Sequence, residues 1–250
     1  MSNLQNRNSN PSKRIIGRLE VKGNYVIKGI RMEGLRKMGA PDEISKKFVH
    51  GGVDELYIDD VVASLYGRKI NLNIIKKITE TLSIPKIFGG NISSHEEAIK
   101  ILALGADKVA LNSNLFHRPQ LVEEIALKTG SQAVIGVIHA KQIGKKDYTA
   151  HYESGREPSN KCVFEWAKIL ETSGCGEIAV ISVDRDGANI GPDFILAEKL
   201  RETVKCQLAF GGGISSKEEA RKLQLDIDID CLILSRALHF KELTANDLRS

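Results

Sequence analysis

Apolar, β-branched runs alternate with amphipathic stretches along almost the whole chain. The runs predict strands over Arg14–Val21, Glu55–Val61, Pro85–Gly89, Lys108–Leu111, Ala133–His139, Glu177–Val183, Gln207–Phe210 and Cys231–Ser235. Helical spacing predicts helices over Pro41–Val49, Asn71–Leu82, Ser94–Leu104, Pro119–Lys128, Val163–Thr172, Pro192–Val204, Ser216–Leu223 and Lys241–Leu248. Within Asn71–Leu82, for example, Leu72, Ile75, Ile78 and Leu82 share one side, while Lys76, Lys77 and Glu80 lie elsewhere. Eight strand–helix units in 250 residues predict a (β/α)8 barrel. A doubly wound open sheet is the competing architecture, but it usually has fewer units and a single Gly-rich loop. Two connections, Lys22–Lys37 and Ala140–Lys161, are longer than the rest and rich in Gly, Lys and Arg. They read as loops on the C-terminal face, where they would act as lids.

The pattern also repeats. Phe88–Lys100 reads FGGNISSHEEAIK and Phe210–Lys222 reads FGGGISSKEEARK, with ten of thirteen residues identical. Gly52 and Glu55 match Gly174 and Glu177 at the same offset of 122, and the strand around Glu20 matches the one around His139 at 119. The barrel is therefore expected to consist of two duplicated half-barrels that meet near Gly130. Each copy of the repeated phrase predicts a strand, a glycine turn and a helix N-terminus, whose free N–H groups and positive dipole end suit a phosphate.

Composition narrows the partners. A net charge of +4 fits anionic ligands but is a weak signal for nucleic acid, and 5% aromatics with one Trp leave little for base stacking. Cys162, Cys175, Cys206 and Cys231 show no C-x-x-C spacing and read as reduced thiols of a cytoplasmic protein. No apolar run is long enough to span a membrane. Residues 1–12 are polar, lack an apolar signal core and are expected to be disordered, which leaves a single domain over residues 13–250.

The candidate chemistry falls at strand ends. Gly90 and Asn91 after the third strand and Asn112 and Ser113 after the fourth form one candidate phosphate site. Gly212 and Gly213 after the seventh and Ser235 after the eighth form the other; the blander reading is that the glycines only make turns. Asp184, Asp186 and Gly187 end the sixth strand, and period-2 alternation predicts both carboxylates on one side, facing the mouth to bind substrate hydroxyls or move protons. A self-capping Asp/Gly turn is the alternative. Glu20 and His139 occupy matching strand ends and form a candidate acid–base pair. Separately, Glu20 could pair with Lys22 or Lys28, and His139 could be a satisfied core residue. At the opposite ends of the strands, Arg14, Glu55, Lys108 and Glu177 would neutralise one another as a ring if they point inward. No metal cluster or nucleotide fingerprint occurs, so no cofactor is expected.

Together with KRII at Lys13–Ile16, DEL at Asp54–Leu56, GRK at Gly67–Lys69, GADKV at Gly105–Val109, GSQAV at Gly130–Val134, GEI at Gly176–Ile178, DRDG at Asp184–Gly187 and HF at His239–Phe240, these residues resemble the HisF family. That family is the cyclase subunit of imidazole glycerol phosphate synthase, and the resemblance runs from Lys13 to about Leu243. It implies a half-barrel duplication that takes ammonia from a partner glutaminase, through a rim gate, and adds it to a bisphosphate-bearing ribulosyl substrate. It also implies that the gate is Arg14, Glu55, Lys108 and Glu177, that Asp107 contacts the glutaminase, and that Lys28 is a lid lysine reaching substrate. The first phosphate would lie at Gly90, Asn91, Asn112 and Ser113, the second at Asp186, Gly187, Gly212, Gly213 and Ser235. The chain departs from the family at the catalytic aspartates, which are Glu20 and His139 here, and at Asn91, which replaces a phosphate-loop glycine. Three functions follow as expectations: a cyclase with an altered acid–base pair, a paralogue that uses glutaminase-derived ammonia on a surface-sugar precursor, or a non-catalytic scaffold that relays ammonia to another enzyme.

Overall fold

The computed structural model describes residues 13–249; the polar tail over residues 1–12 lies outside them. Eight parallel strands close on themselves in the order β1 (Arg14–Lys22), β4 (Glu55–Asp60), β5 (Lys86–Gly89), β6 (Lys108–Leu111), β7 (Val134–Gln142), β10 (Glu177–Ser182), β11 (Gln207–Gly211) and β12 (Cys231–Leu234), with β12 returning to β1. This is the (β/α)8 barrel that the alternation predicts. Helices α1 (Pro41–His50), α2 (Leu72–Thr81), α3 (His95–Ala103), α4 (Ser113–His117), α5 (Leu121–Thr129), α6 (Val163–Thr172), α7 (Phe194–Thr203) and α8 (Lys217–Arg221) separate the strands, and α9 (Arg236–His239) and α10 (Ala245–Arg249) follow the last one.

The long connections are not loops. The first forms a hairpin of β2 (Tyr25–Ile30) and β3 (Glu33–Gly39) that extends β1, and the second forms β8 (Tyr148–Tyr152) and β9 (Glu157–Cys162), extending β7. Their sequences lack strict alternation because the inner strands β2 and β8 are mostly buried on both faces and the outer strands β3 and β9 are mostly exposed on both. Both do cover the mouth. Met32, at the first hairpin's turn, is buried with Ile181 and Val183, and a Cβ on Gly155 in the second hairpin's turn would stand only 2.8 Å from the Met32 sulfur. The Arg31 amide donates to the Asp186 carbonyl at 2.7 Å, which docks the first hairpin on the turn after β10.

Two cores follow from the period of two on each strand. Outward residues such as Leu19, Leu56, Phe88 and Phe210 pack beneath the helices. Inward residues, among them Ile16, Tyr57, Ile87, Ala110, Ile135, Ala179, Ala209 and Ile233, fill the barrel. Inward positions beyond this apolar layer carry the charges that make the site.

The repeated phrase also has a structural role. Ser94 and Ser216 cap α3 and α8 by accepting from the amides of Glu97 and Glu219. The Glu97 carboxylate accepts from the Ser93 amide at 2.9 Å, and that of Glu219 from the Ser215 amide at 2.8 Å. These capping contacts occupy the donors that the sequence suggested for phosphate. What is left of the two sites expected for phosphate is the glycine turn before each helix and the short helix after the next strand.

Candidate functional site

On β1 the inward positions are Arg14, Ile16, Arg18 and Glu20. Arg14 lies at the N-terminal rim. Its guanidinium bonds Glu55 and reaches Glu177 at 3.3 Å, while the Lys108 ammonium meets Glu55 at 3.1 Å and Glu177 at 2.8 Å. Four residues from four strands thus alternate in sign around a closed ring. Asp107 lies beside it, with its side chain 49% exposed and one carboxylate oxygen accepting from the Lys86 amide.

Toward the mouth lies a second charged cluster. The buried Lys28 ammonium, carried on β2, donates to Glu20 at 2.6 Å and to Asp186 at 2.7 Å. Arg18, also buried, donates to Asp59 at 2.8 Å and pairs with Glu20 at 3.3 Å. Burial opposes ionisation of Glu20, but Lys28 and Arg18 outweigh it and hold the carboxyl well below its usual range. Burial likewise opposes the charge on Lys28, but Asp186 and Glu20 raise its pKa. His139 is only 2% exposed, and neither ring nitrogen has a hydrogen-bond partner. Burial, helped by Arg18, pushes its pKa down to about 3, so the imidazole is neutral near pH 7. Glu20 and His139 therefore do face the same interior. They arrive there as a pinned carboxylate and a neutral imidazole, neither with a pKa near 7.

Asp184 and Asp186 separate. Strand β10 ends at Ser182, and the following turn breaks the alternation that put both carboxylates on one side. Asp186 turns inward to Lys28, while Asp184 accepts from the Gln142 amide at 2.7 Å, where it steadies the extended end of β7.

Two recesses flank the cluster. The first is lined by Asp59, Asp60, Asn91, Ser113 and His139 among others, and the second by Asp186, Gly187, Gly212, Gly213, Ser235 and Arg236 among others. In the second, Gly213 has φ +87°, and a Cβ there would strike the Gly191 carbonyl. The buried Ser235 hydroxyl has no partner. In the first, Asn91 takes the left-handed φ of +47°. Its side chain donates to the Arg68 carbonyl at 2.9 Å and accepts from Asn114 at 3.1 Å. The Asn112 amide is engaged by the Val137 carbonyl at 2.9 Å.

Sequence reasoning missed Arg18, Asp59, Asp60 and Glu153. The alternation Arg14-Ile16-Arg18-Glu20 is signal enough to place Arg18 inside the barrel. Glu153 stands behind the first recess, bonded to its lining residues Ser64 and Ser113, and is brought there by the hairpin, which no local pattern announces.

The family model for histidine biosynthesis proteins matches residues 14–244. The chain is 38% identical over 206 residues to the imidazole glycerol phosphate synthase subunit HisF of Legionella pneumophila, covering 82% of this chain and 97% of that protein. The same-named subunit of Prosthecochloris aestuarii is 35% identical over 239 residues, covering 96% of this chain and 95% of the relative. That of Halalkalibacterium halodurans is 34% identical over 240 residues, covering 96% and 95%. With this barrel, and with sequence similarity extending over nearly its full length, the chain belongs to the HisF family of histidine biosynthesis proteins.

Proposed function

We propose that this chain is the ammonia-accepting synthase subunit of an imidazole glycerol phosphate synthase-type glutamine amidotransferase. Its partner is a glutaminase docked over the N-terminal rim, with Asp107 at the contact, and its substrate is a phosphorylated ribulosyl compound held at the mouth. The observation that carries this reading is the closed ring of Arg14, Glu55, Lys108 and Glu177. Four balanced charges around the axis seal the barrel against ions and water, and displacement of one cation opens a path for a small neutral molecule. Such a gate suits ammonia delivered from below. At the mouth, the Gly212 and Gly213 turn and the unpartnered Ser235 hydroxyl suit a phosphate. Lys28, on the lid hairpin, would swing to an anionic ligand and release Glu20 and Asp186. Glu20, freed from its cation, would then become a stronger base. No cofactor is needed beyond ammonia as co-substrate.

The pinned Glu20 and the neutral His139 favour a second reading, in which ammonia is added to a different acceptor, such as a surface-sugar precursor, without the ring closure. The two readings part on one assay. Purified chain, supplied with ammonium salts and the ribulosyl bisphosphate substrate, forms the imidazole product under the first reading. Absence of that product, with growth of a cyclase-deficient strain on histidine-free medium also unrestored, would leave the second.

A further inference from the structure

Between the rim ring and the mouth, the inward side chains stack in layers. Above the ring lies the apolar layer of Ile16, Ile87, Ala110, Ile135, Ala179, Ala209 and Ile233. Above that layer the filling turns polar. Arg18 comes from β1, Asp59 and the hydroxyl of Tyr57 from β4, and His139 from β7, which is four strands round from β1 and so on the opposite wall. Gly89 on β5 has no side chain, and the β4 heads fill the space before it. A Cβ there would stand 3.0 Å from the Tyr57 hydroxyl and 3.1 Å from the Asp59 carboxylate.

Arg18 is 1% exposed. Its Nη2 donates to Asp59 at 2.8 Å, and its guanidinium lies 5.7 Å from the Tyr57 ring centre. Nη1 stands 3.3 Å from Glu20 without hydrogen-bond geometry, and neither Nη1 nor Nε has a hydrogen-bond partner among the described residues. On the far wall both His139 nitrogens lack one as well. Arg18 is also the charge that acts most strongly on that ring. The first recess comes down to this level, since Tyr57, Asp59, Ala110 and His139 all line it.

Four buried polar atoms are thus unsatisfied at one height: two donors on Arg18, and a donor and an acceptor on the neutral His139. Each costs free energy that a small ligand would recover. Burial restricts that ligand to a few atoms. It needs a lone pair for a guanidinium N–H, and hydrogens for the Asp59 carboxylate and the bare imidazole nitrogen. Neutral ammonia offers both, whereas ammonium has no lone pair. Water has the same capacity, so ammonia need only exchange with it.

We propose that Arg18, Asp59 and His139 form a binding site for neutral ammonia at the head of the barrel, between the apolar layer and the mouth. This rests on the proposal that ammonia enters through the rim ring, and it names the residues that receive it.

The experiment follows the nitrogen resonances of Arg18 Nε and of the His139 ring while ammonium chloride is added. One titration is run at pH 9, where much of the ammonia is free base, and one at pH 7, where little is, with sodium chloride as the reference at each pH. Both residues should shift at pH 9. At pH 7 the total needed for half the shift should rise by more than about tenfold, since the free base falls about tenfold per pH unit below the ammonium pKa. The double variant Arg18→Met, Asp59→Leu removes the ion pair as a unit. In it the half-point at His139 should rise on the order of tenfold for each charged hydrogen bond lost. If that variant does not fold, the pH comparison in the unaltered protein decides alone. The proposal is overturned if Arg18 Nε does not answer ammonia at pH 9, if it follows total ammonium equally at both pH values, or if the folded double variant keeps the response at His139. Turnover with ammonium salts and the ribulosyl bisphosphate substrate separates this from the function itself. Product with a silent Arg18 removes the site and leaves the function, while a responsive Arg18 without product leaves the site and counts against the ribulosyl acceptor.

Discussion

In the ring at the rim, Arg14 and Lys108 each bridge Glu55 and Glu177, and their side chains keep 21% and 17% of their surface in contact with solvent. In the inner cluster, Arg18 and Lys28 keep 1% and 2%. Both sets link cations to carboxylates at similar distances, but water reaches only the first. A rim cation can leave its partners and be rehydrated, so the ring can open. An inner cation has nowhere to go except to another anion, so the cluster holds until a ligand supplies one. Under the proposed function the same pairing chemistry would serve as a gate at one end of the barrel and as a lock at the other, and the difference would come from the solvent access of the cations.

The sharpest challenge to this contrast is Lys28→Met. It leaves Glu20 and Asp186 buried without their shared cation and should cost about 4 kcal/mol in urea unfolding. A loss below about 1 kcal/mol would mean that water reaches the cluster after all. Arg18→Met removes the partner of Asp59 while Glu20 keeps Lys28, so a smaller loss of about 3 kcal/mol is expected in the same measurement.

Acidity tests the burial of the imidazoles. His139 titrates near 3 in the folded chain, and burial together with the Lys28 ammonium brings His239 down to about 4. The unfolded chain takes up these protons below about 6.5, so their contribution is complete above that pH and is lost as the pH falls toward the folded values. The slope is about 1.4 kcal/mol per pH unit for each histidine. Unfolding measured at pH 7.5 and pH 5 should show it, and His139→Gln should remove about half. Equal stability at the two pH values would place water beside His139.

Lys108→Met should have the smallest effect on stability, about 1 kcal/mol, because Arg14 stays paired with both Glu55 and Glu177 and the lost cation is itself partly solvated. Its effect on activity would be selective. With a glutaminase partner, glutamine-dependent turnover should fall severalfold while turnover with ammonium salts holds. Equal loss in both would remove the gate from the ring.

The barrel was legible in the sequence because each strand buries both faces and each helix one, and both demands leave periodic marks. The eight barrel strands lie within a few residues of the predicted runs. The hairpins β2–β3 and β8–β9 were not, because a ribbon that lies over the mouth answers to contacts distant in the chain. The Lys22–Lys37 connection could be read as a lid and its Lys28 as a partner of Glu20, but not the ammonium's second bond, to Asp186.

The site divides in the same way. The ring followed from four strand starts and the period of two, since identical pleating sends each first inward side chain to the same rim. The fate of Asp184, the second cation that Arg18 gives Glu20 and the neutrality of His139 did not follow. Each depends on which groups meet across the barrel and how little water stands between them, and distance and dielectric are set only by the closed fold. Within the regular barrel strands the period of two in the sequence fixes which residues can share a face and at what height. The tertiary structure alone decided which of them are paired, and therefore which remain to bind a ligand.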